Sequence, residues 1–548
     1  MIIFILLACG VVFSIYSQKL APGRYWIPFT DKSGNGFSIH SPEEFLSERA
    51  IQRRLRQNIP LLTEDLPVTK LYVDSLRKLG LTVSGTSKWF NAAIAETNDT
   101  LLLSTLNNIS FIRDFTYTLP LKALALSFTP TLLPEIKENA VESSLDQNNY
   151  GLAEKQISLL NGIRLHSLGY RGKNILIAVI DAGFYNVDSY RAFDSLWLNN
   201  RIIAWHDFAQ PGNPDFFREN SHGMSVLSTM GANIPGELIG TAPEASYLLL
   251  RSEITSSEYL IEEALWLLAA EYADSAGADI INSSLGYSTF QDTSMNYTNS
   301  DMNGTSAIST IAAEKAFSKG MIIVVSAGNE GAEPWKIISA PSDGKHVLAI
   351  GAIDTYLNLA AFSSVGPSAD FRIKPDIVSV GYKTAITTVT GITGFGNGTS
   401  FSSPQIAGMV ACLWQAIPGK TNLEIINAVR RASSRYYSPD NNFGYGIPDF
   451  YLAFRQLQSS SERIPGDGLL IIPNPAQDNF KIQLMNSEEV VRIIYVYDAF
   501  GRNVAVIKNP YLIFGYFRIT ELNHLQPGIY FLIVRTDKKD YPAKLIKQ

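Results

Sequence analysis

The sequence predicts an α/β protein: a parallel sheet flanked by helices, preceded by a small α+β unit and closed by a small all-β sandwich. Three observations carry that expectation. Between about 150 and 457, short continuous apolar runs alternate with amphipathic helical stretches, the pattern of strands buried on both faces and joined by crossover helices. Ahead of that region, residues 18–118 mix helix and strand signals, and from 469 to 548 the hydrophobic period drops to two. At 548 residues the chain exceeds one ordinary core, and its 46% hydrophobic content can fill several.

Residues 1–17 are expected to form a secretory signal peptide. Met1 to Tyr16 is almost wholly apolar, and Ser17 and Gln18 follow at a small-residue cleavage position. A membrane anchor is the rival, although the run falls short of the ~20 residues a spanning helix needs. Leu6-Leu7-Ala8-Cys9 also resembles a lipoprotein box. Loss of the leader removes Cys9 and leaves Cys412 alone, so no intramolecular disulfide is expected. Cys412 itself lies in the apolar stretch Met409 to Trp414 and reads as a small buried hydrophobe.

Within 18–118, strand-like Tyr25 to Thr30 leads to Ser41-Pro42-Glu43-Glu44, where a cap hydroxyl, a proline and an acidic first turn predict a helix start. Arg49, Arg53, Arg54 and Arg56 give that helix a basic face, either solvated or docked on an acidic neighbour. A helix near Leu71 to Leu79, extended segments at Leu81–Ser84 and Asn91–Glu96, a short helix at Thr100–Leu106 and a strand at Ile109–Phe115 complete the unit. Residues 119–149, with Pro120, Pro130, Pro134 and a polar run from Glu142, form a connector.

The central unit, 150–457, has its apolar runs at Ile175–Ile180, Tyr247–Leu250, Ile280–Ile281, Met321–Val325 and Val347–Ile350, with crossover helices such as Glu258–Ala273 and Ser306–Phe317. In such sheets the functional site lies outside the carboxyl ends of the strands. Residues 458–468 read as a linker. Beyond it, Phe480, Ile482 and Leu484 alternate with their neighbours, as do Ile493, Tyr495 and Tyr497, and turns at Gly501 and Pro527-Gly528 separate further strands. Charged residues make up 18% with a net charge of −6 and no long basic block, which excludes an electrostatic footprint for nucleic acid.

Four features of the central unit can carry chemistry. Asp181 ends the apolar run Ile175–Ile180 on a glycine-containing turn, where a rigid, partly desolvated carboxylate could orient a histidine. Among six histidines, His222 stands at a helix start beside Gly223, which leaves room for a substrate backbone; the helix terminus would favour a neutral imidazole. Ser400 follows Gly398-Thr399 at the mouth of the apolar helix Phe401–Trp414, with Pro404 expected in its first turn. Asn329, in Ser326-Ala327-Gly328-Asn329 after a buried strand, can donate a hydrogen bond to an oxyanion together with the Ser400 N–H. Taken singly, Asp181 could be a turn residue and Ser400 a helix cap.

The order Asp, His, Ser and the flanks of the three residues resemble the subtilase family over about 300 residues. Ile177-Ala178-Val179-Ile180-Asp181, Ser221-His222-Gly223 and Gly398-Thr399-Ser400-Phe401-Ser402-Ser403-Pro404 resemble its three motifs. Gly240-Thr241-Ala242-Pro243, Phe362-Ser363-Ser364 and Lys374-Pro375-Asp376 resemble further landmarks. The resemblance implies a subtilisin-like serine endopeptidase with Asp181, His222 and Ser400 as triad and Asn329 as oxyanion donor. It also implies that Ser284-Leu285-Gly286 pairs with an extended substrate and that Ser326, Ala327 and Gly328 line the pocket for the residue before the cleaved bond. Ala182 and Met224 stand where the family usually has hydroxyl residues. No cofactor is implied; a structural calcium is common in the family, but no dense loop of oxygen ligands marks one here.

By the same resemblance, the unit ending near 118 looks like an inhibitory, chaperone-like propeptide. The tail, from Pro473-Asn474-Pro475 through Gly528-Ile529-Tyr530 to Lys544-Leu545-Ile546-Lys547-Gln548, resembles the type IX secretion sorting domains of Bacteroidetes-like bacteria. The expected partners are protein or peptide substrates, the propeptide and the type IX machinery, and the expected location is the medium or the outer-membrane surface. A carbohydrate- or protein-binding sandwich is the other reading of the tail. Two other functions share the central motifs, a surface binding protein without turnover and a ligase that passes its acyl group to an amine.

Overall fold

A computed structural model describes residues 19–113, 149–461 and most of 469–547; the expected signal peptide, nearly all of the connector and residues 462–468 lie outside the described residues. Strands β1 (Lys19–Ala21), β2 (Arg24–Pro28), β3 (Thr82–Ser87) and β4 (Ala92–Glu96) form an antiparallel sheet in the order β1-β2-β4-β3. Helix α2 (Lys70–Lys78) buries Val73 and Leu76 against one face of that sheet, where Ile27, Ala93 and Ala95 also point.

Two expectations for this unit change. The Ser41 signal produces only a 3-10 turn at Pro42–Glu44, and the arginine-rich helix α1 (Glu48–Arg56) starts afresh at Ser47, whose hydroxyl accepts the Ala50 N–H at 3.2 Å. A proline near the N-terminus favours the first turn but does not extend it, and Ser47 supplies the better cap. The expected strand at Ile109–Phe115 shrinks to a single bridge between Ile112 and Phe29, because a 3-10 turn at Leu106–Asn108 takes up the approach; residues from 114 lie outside the described set.

The central unit is built on seven parallel strands: β5 (Leu176–Asp181), β6 (Ile202–Asp207), β7 (Ser246–Arg251), β8 (Ile280–Ser283), β9 (Ile322–Ser326), β10 (Leu348–Ile353) and β11 (Ile377–Val380). Their order is β11-β10-β9-β8-β5-β7-β6, so the direction of winding switches at β5. Such a switch opens a crevice at the strand ends, and β5 ends in Asp181. Alternate residues of β5 feed two cores. Ile177 and Val179 join Val226 of helix α3 (His222–Gly231) and Ile406 of helix α6 (Thr399–Ala416). Leu176, Ala178 and Ile180 join Trp266 of helix α4 (Ile261–Ala276) and Ala312 of helix α5 (Ile308–Ser318).

Trp26, Trp89, Ala92 and Ile94 of the first unit enter the α4 and α5 core, so the small α+β unit is seated on that side of the sheet. Strands β6 and β11 were not anticipated. Both are edge strands: β6 exposes Ile203 and Trp205, and the short run of β11 is broken by Ser379, so neither shows the continuous apolar run of a central strand. The helix Phe450–Ser461 also runs past residue 457, where the linker was expected to begin.

The tail forms two four-stranded antiparallel sheets. One contains Leu469–Ile472, Phe480–Leu484, Leu512–Ile513 and Tyr516–Ile519; the other contains Val491–Asp498, Asn503–Lys508, Gly528–Thr536 and Asp540–Lys547. Phe480, Ile482 and Leu484 face the core as expected. In Val491–Asp498 the phase is opposite: Ile494 and Val496 are buried, while Ile493, Tyr495 and Tyr497 are half-buried. That strand is apolar on both faces, and an irregularity between Val491 and Ile493 sets which face turns inward.

Candidate active site

Strand β5 delivers Asp181 fully buried, at 0% exposure, with its Oδ1 accepting the Ala182 N–H at 2.7 Å. The same oxygen lies 2.7 Å from His222 Nδ1, so the imidazole donates to it from the first residue of α3. The Asn220 side chain accepts the His222 backbone N–H at 2.8 Å and fixes the helix start. Gly223 explains how two elements come so close: a Cβ there would stand 2.6 Å from the Gly183 carbonyl oxygen and 2.8 Å from Asp181 Cβ. Any side chain at 223 would push the helix off the strand end.

His222 keeps a third of its side chain open, at 33% exposure. Burial of the rest opposes the imidazolium, but the Asp181 carboxylate, by charge and by hydrogen bond, outweighs it, and Glu253 adds to the effect. The histidine is therefore held above its ordinary value. A neutral imidazole favoured by the helix terminus was the expectation; two carboxylates prevail over the end of a ten-residue helix. Asp181 Oδ2 is buried with no hydrogen-bond partner among the described residues. Met224 is 0% exposed in the apolar core with Val226 and Met230, so its place is decided by packing.

Ser400 lies in the first turn of α6, 7% exposed. Its Oγ donates to the Ser284 carbonyl at 3.4 Å and not to His222. The adjoining Phe401 ring is 6.1 Å from the His222 ring, which sets the starts of α6 and α3 side by side. Pro404 is the sixth residue of α6 and not in its first turn as expected. Its missing N–H leaves the carbonyl four residues back, that of Ser400, without an intrahelical donor. The Ser284 hydroxyl fills that place at 2.9 Å.

Asn329 follows the turn after β9. The Thr399 N–H donates to its Oδ1 at 2.8 Å, and the Thr399 hydroxyl lies 3.0 Å from the same oxygen. With the carbonyl end tied down, the amide NH₂ is left to donate elsewhere. A Cβ built on Gly398 would be 3.6 Å from the Ser400 nitrogen and 3.7 Å from Asn329 Nδ2, so both donors border one point in space. Gly398 has φ 146°, a conformation that keeps this point free of a side chain.

Of the expected substrate contacts, Ser284 is buried beside Ser400, Leu285 is half-buried and Gly286 is exposed, before Tyr287 pairs with Ala340. Ser326 and Ala327 are buried, and Gly328, at φ 113°, hands its carbonyl to the Ser364 N–H at 3.0 Å. Phe362-Ser363-Ser364 is thus a brace under the 326–329 turn. Lys374-Pro375-Asp376 serves packing too: the Asp376 carboxylate accepts from Lys374 at 2.9 Å and from Arg430 at 2.6 Å. Cys412 is buried as expected, donates to the Thr241 carbonyl at 3.2 Å, and its thiol is pushed up by burial.

Thr399 and Glu253 contribute beyond the expected site residues, and Ser284, expected as a substrate contact, has a second role through its hydroxyl. Thr399 was read only as a flank of Ser400, although its hydroxyl was the available signal. The Ser284 hydroxyl left no signal, because its target is a carbonyl more than a hundred residues away. Glu253 accepts from Tyr287 at 2.7 Å and is pushed up to about 7 by burial against the hydrogen bonds of Tyr287 and Ser252. Among the described residues, no group of three or more His, Cys, Asp or Glu is arranged to hold a metal ion.

The family model described as "Subtilase family" matches residues 172–446. That is half of the chain, and the chain belongs to the subtilase family. It is a serine endopeptidase that carries two further family domains: "Peptidase S8 propeptide domain, Bacteroidota" matches residues 24–131 and "Secretion system C-terminal sorting domain" matches 470–548. Both domains make it an exported protein of a Bacteroidota-type bacterium. It is 29% identical over 295 residues to Subtilisin NAT of Bacillus subtilis subsp. natto, covering 53% of this chain and 68% of that protein. Subtilisin of Bacillus pumilus is 27% identical over 296 residues, covering 53% of this chain and 94% of the other. The crystal structure of MycP1 from Mycobacterium smegmatis is 20% identical, covers 61% of this chain and 89% of its own, and gives a TM-score of 0.44.

Proposed function

We propose that the chain hydrolyses peptide bonds through a covalent acyl-enzyme on Ser400, with the catalytic unit spanning residues 150–457. The observation that carries this reading is the 2.7 Å contact between Asp181 Oδ1 and His222 Nδ1 beside the helix start that bears Ser400. Asp181 fixes the tautomer that leaves Nε2 free as a base, and it stabilises the imidazolium once a proton arrives. For catalysis the Ser400 hydroxyl turns from the Ser284 carbonyl to His222, gives up its proton and attacks the peptide carbonyl. The tetrahedral oxyanion is held by Asn329 Nδ2 and the Ser400 N–H, whose common point in front of Gly398 supports that role. His222 then protonates the leaving amine, and water repeats the sequence to free the acid.

An extended substrate would pair with Ser284-Leu285-Gly286 by strand addition, its residue before the cleaved bond facing Ser326, Ala327 and Gly328. A fluorophosphonate tests the reading. It should label Ser400 in the mature protein, and Ser400→Ala should remove both labelling and hydrolysis. Persistent hydrolysis in that variant would refute the mechanism.

A further inference from the structure

Sheet order sorts the walls around Ser400. The segment Ser284-Leu285-Gly286 continues β8, which lies between β9 and β5, with β7 next beyond β5. On the β9 side the chain runs on into Ser326, Ala327 and Gly328, the wall assigned above to the residue before the cleaved bond. On the other side the strand ends carry Asp181 of β5 and, two residues past the end of β7, Glu253. Tyr287 crosses that side: it follows Gly286 directly, and its hydroxyl donates to Glu253 Oε1 at 2.7 Å.

Glu253 is only 9% exposed, and what holds it is neutral. Oε1 accepts from two hydroxyls, that of Tyr287 and, at 2.9 Å, that of Ser252. The Ser252 N–H in turn donates to the Asp181 carbonyl at 3.2 Å, which ties the carboxylate to the strand that ends in Asp181. Among the described residues Oε2 accepts no hydrogen bond, and it is not sealed from solvent. The neighbouring Glu262 is occupied by the Ile254 and Tyr259 N–H groups at 2.8 and 3.2 Å. Burial pushes Glu253 up to about 7, the mark of a carboxylate set into a partly dry wall without a counter-charge.

We infer that Glu253 selects a lysine or arginine as the second residue before the cleaved bond, whose charged end supplies the partner that Oε2 lacks. The inference deepens the preceding proposal and rests on its strand-addition reading. An extended chain turns successive side chains to opposite faces, so a first residue directed at the β9 wall sends the second toward β5 and β7. His222, a third of its side chain open, belongs to that same side through its bond to Asp181. A basic side chain there forms a charge-assisted hydrogen bond with the fixed carboxylate. A neutral one leaves Glu253 unpaired, and an acidic one repels it.

Peptides that differ only at that second position test the inference on the mature protein, with active sites counted by fluorophosphonate labelling. Rates are compared on the alkaline plateau of the pH profile, where His222 is neutral and Glu253 charged, so a shift of the acid limb does not enter. There kcat/KM for the Lys peptide should exceed that for the Gln peptide by about ten- to a hundred-fold, and that for the Glu peptide by more. Equal values for the Lys and Gln peptides in the wild type would overturn the inference and leave the acyl-enzyme standing. Glu253→Gln should bring the two peptides within about three-fold, and Glu253→Lys should place the Glu peptide first. A Lys preference that survives Glu253→Gln would overturn the role of Glu253. If that variant does not accumulate, Tyr287→Phe, which frees Oε1, should lower the preference at least about three-fold, and an unchanged preference there counts against Glu253 equally. Absence of labelling would remove the acyl-enzyme, and binding then decides Glu253 alone. Cleavage-resistant Lys and Gln peptides, measured by calorimetry, should differ in affinity by the same factor, and equal affinities would overturn the inference.

Discussion

The Ser284 hydroxyl donates to the main-chain carbonyl of Ser400 at 2.9 Å, and Ser400 Oγ donates back to the Ser284 carbonyl at 3.4 Å. One residue thus closes the gap that Pro404 opens in α6 and also receives the Ser400 hydroxyl. Ser284→Ala should cost about 1–2 kcal/mol of stability, since it leaves a buried carbonyl without a donor. It should also lower kcat by a few-fold through a less fixed helix start. Urea unfolding and steady-state kinetics on the same variant separate the two effects.

Thr399 ties the Asn329 carbonyl oxygen and so aims the amide nitrogen. Asn329→Ala should lower kcat by about 10²–10³ with little change in KM, as for loss of an oxyanion donor. Thr399→Val keeps the backbone bond and removes the hydroxyl, and should lower kcat by roughly ten-fold. An equal or larger loss for Thr399→Val would move the oxyanion role away from Asn329.

In the proposed mechanism His222 would act as a base only when neutral, and Asp181 and Glu253 hold it above the ordinary 6.5. Values of kcat/KM should therefore fall as pH drops through that raised value, so the acid limb lies above 6.5. Glu253 itself is pushed up to about 7 and is charged above that pH. Glu253→Gln removes its share of the pull and should move the acid limb to lower pH. A pH–rate profile checks both the position and the direction.

Glu271 accepts from Ser87 Oγ at 2.5 Å and from the Lys88 and Trp89 N–H groups at 2.8 and 3.0 Å. Burial pushes it from 4.5 up to about 7, with Lys88 and these bonds pulling the other way. A folded value above the unfolded one means that the folded chain holds the proton more tightly. Its contribution is complete below 4.5 and is lost as pH rises through about 7. Urea midpoints of the Ser400→Ala chain should carry that slope, and Glu271→Gln should flatten it.

Met224 fills the core behind α3. Met224→Thr, which restores the residue common in the family, should cost about 2–4 kcal/mol by leaving a cavity and burying a hydroxyl. Activity should not rise. A gain in kcat without loss of stability would show that the hydroxyl matters more than the packing.

Legibility from sequence followed the range of the forces involved. Asp181, His222, Asn329 and Ser400 could be singled out because each sits where a strand or helix ends beside glycine, a local pattern. The α4 and α5 crossovers were equally plain from their periodicity. What stayed hidden depends on partners far along the chain. The basic face of α1 reads the same whether it meets water or Asp274, with which Arg53 and Arg54 pair. Edge strand β6 lacks the double-sided burial that marks its neighbours, and the sandwich strand at Val491–Asp498 is apolar on both faces, so only its irregularity chooses between them.

Gly223 has a consequence for how the site ages under stress. The gap between strand end and helix is held by hard contact, with no room for even one methyl group between them. Salt and acid weaken attractions between charges, but they do not thicken atoms. The spacing of carboxylate and imidazole is thus a mechanical dimension, and it should outlast conditions that silence the electrostatics acting across it.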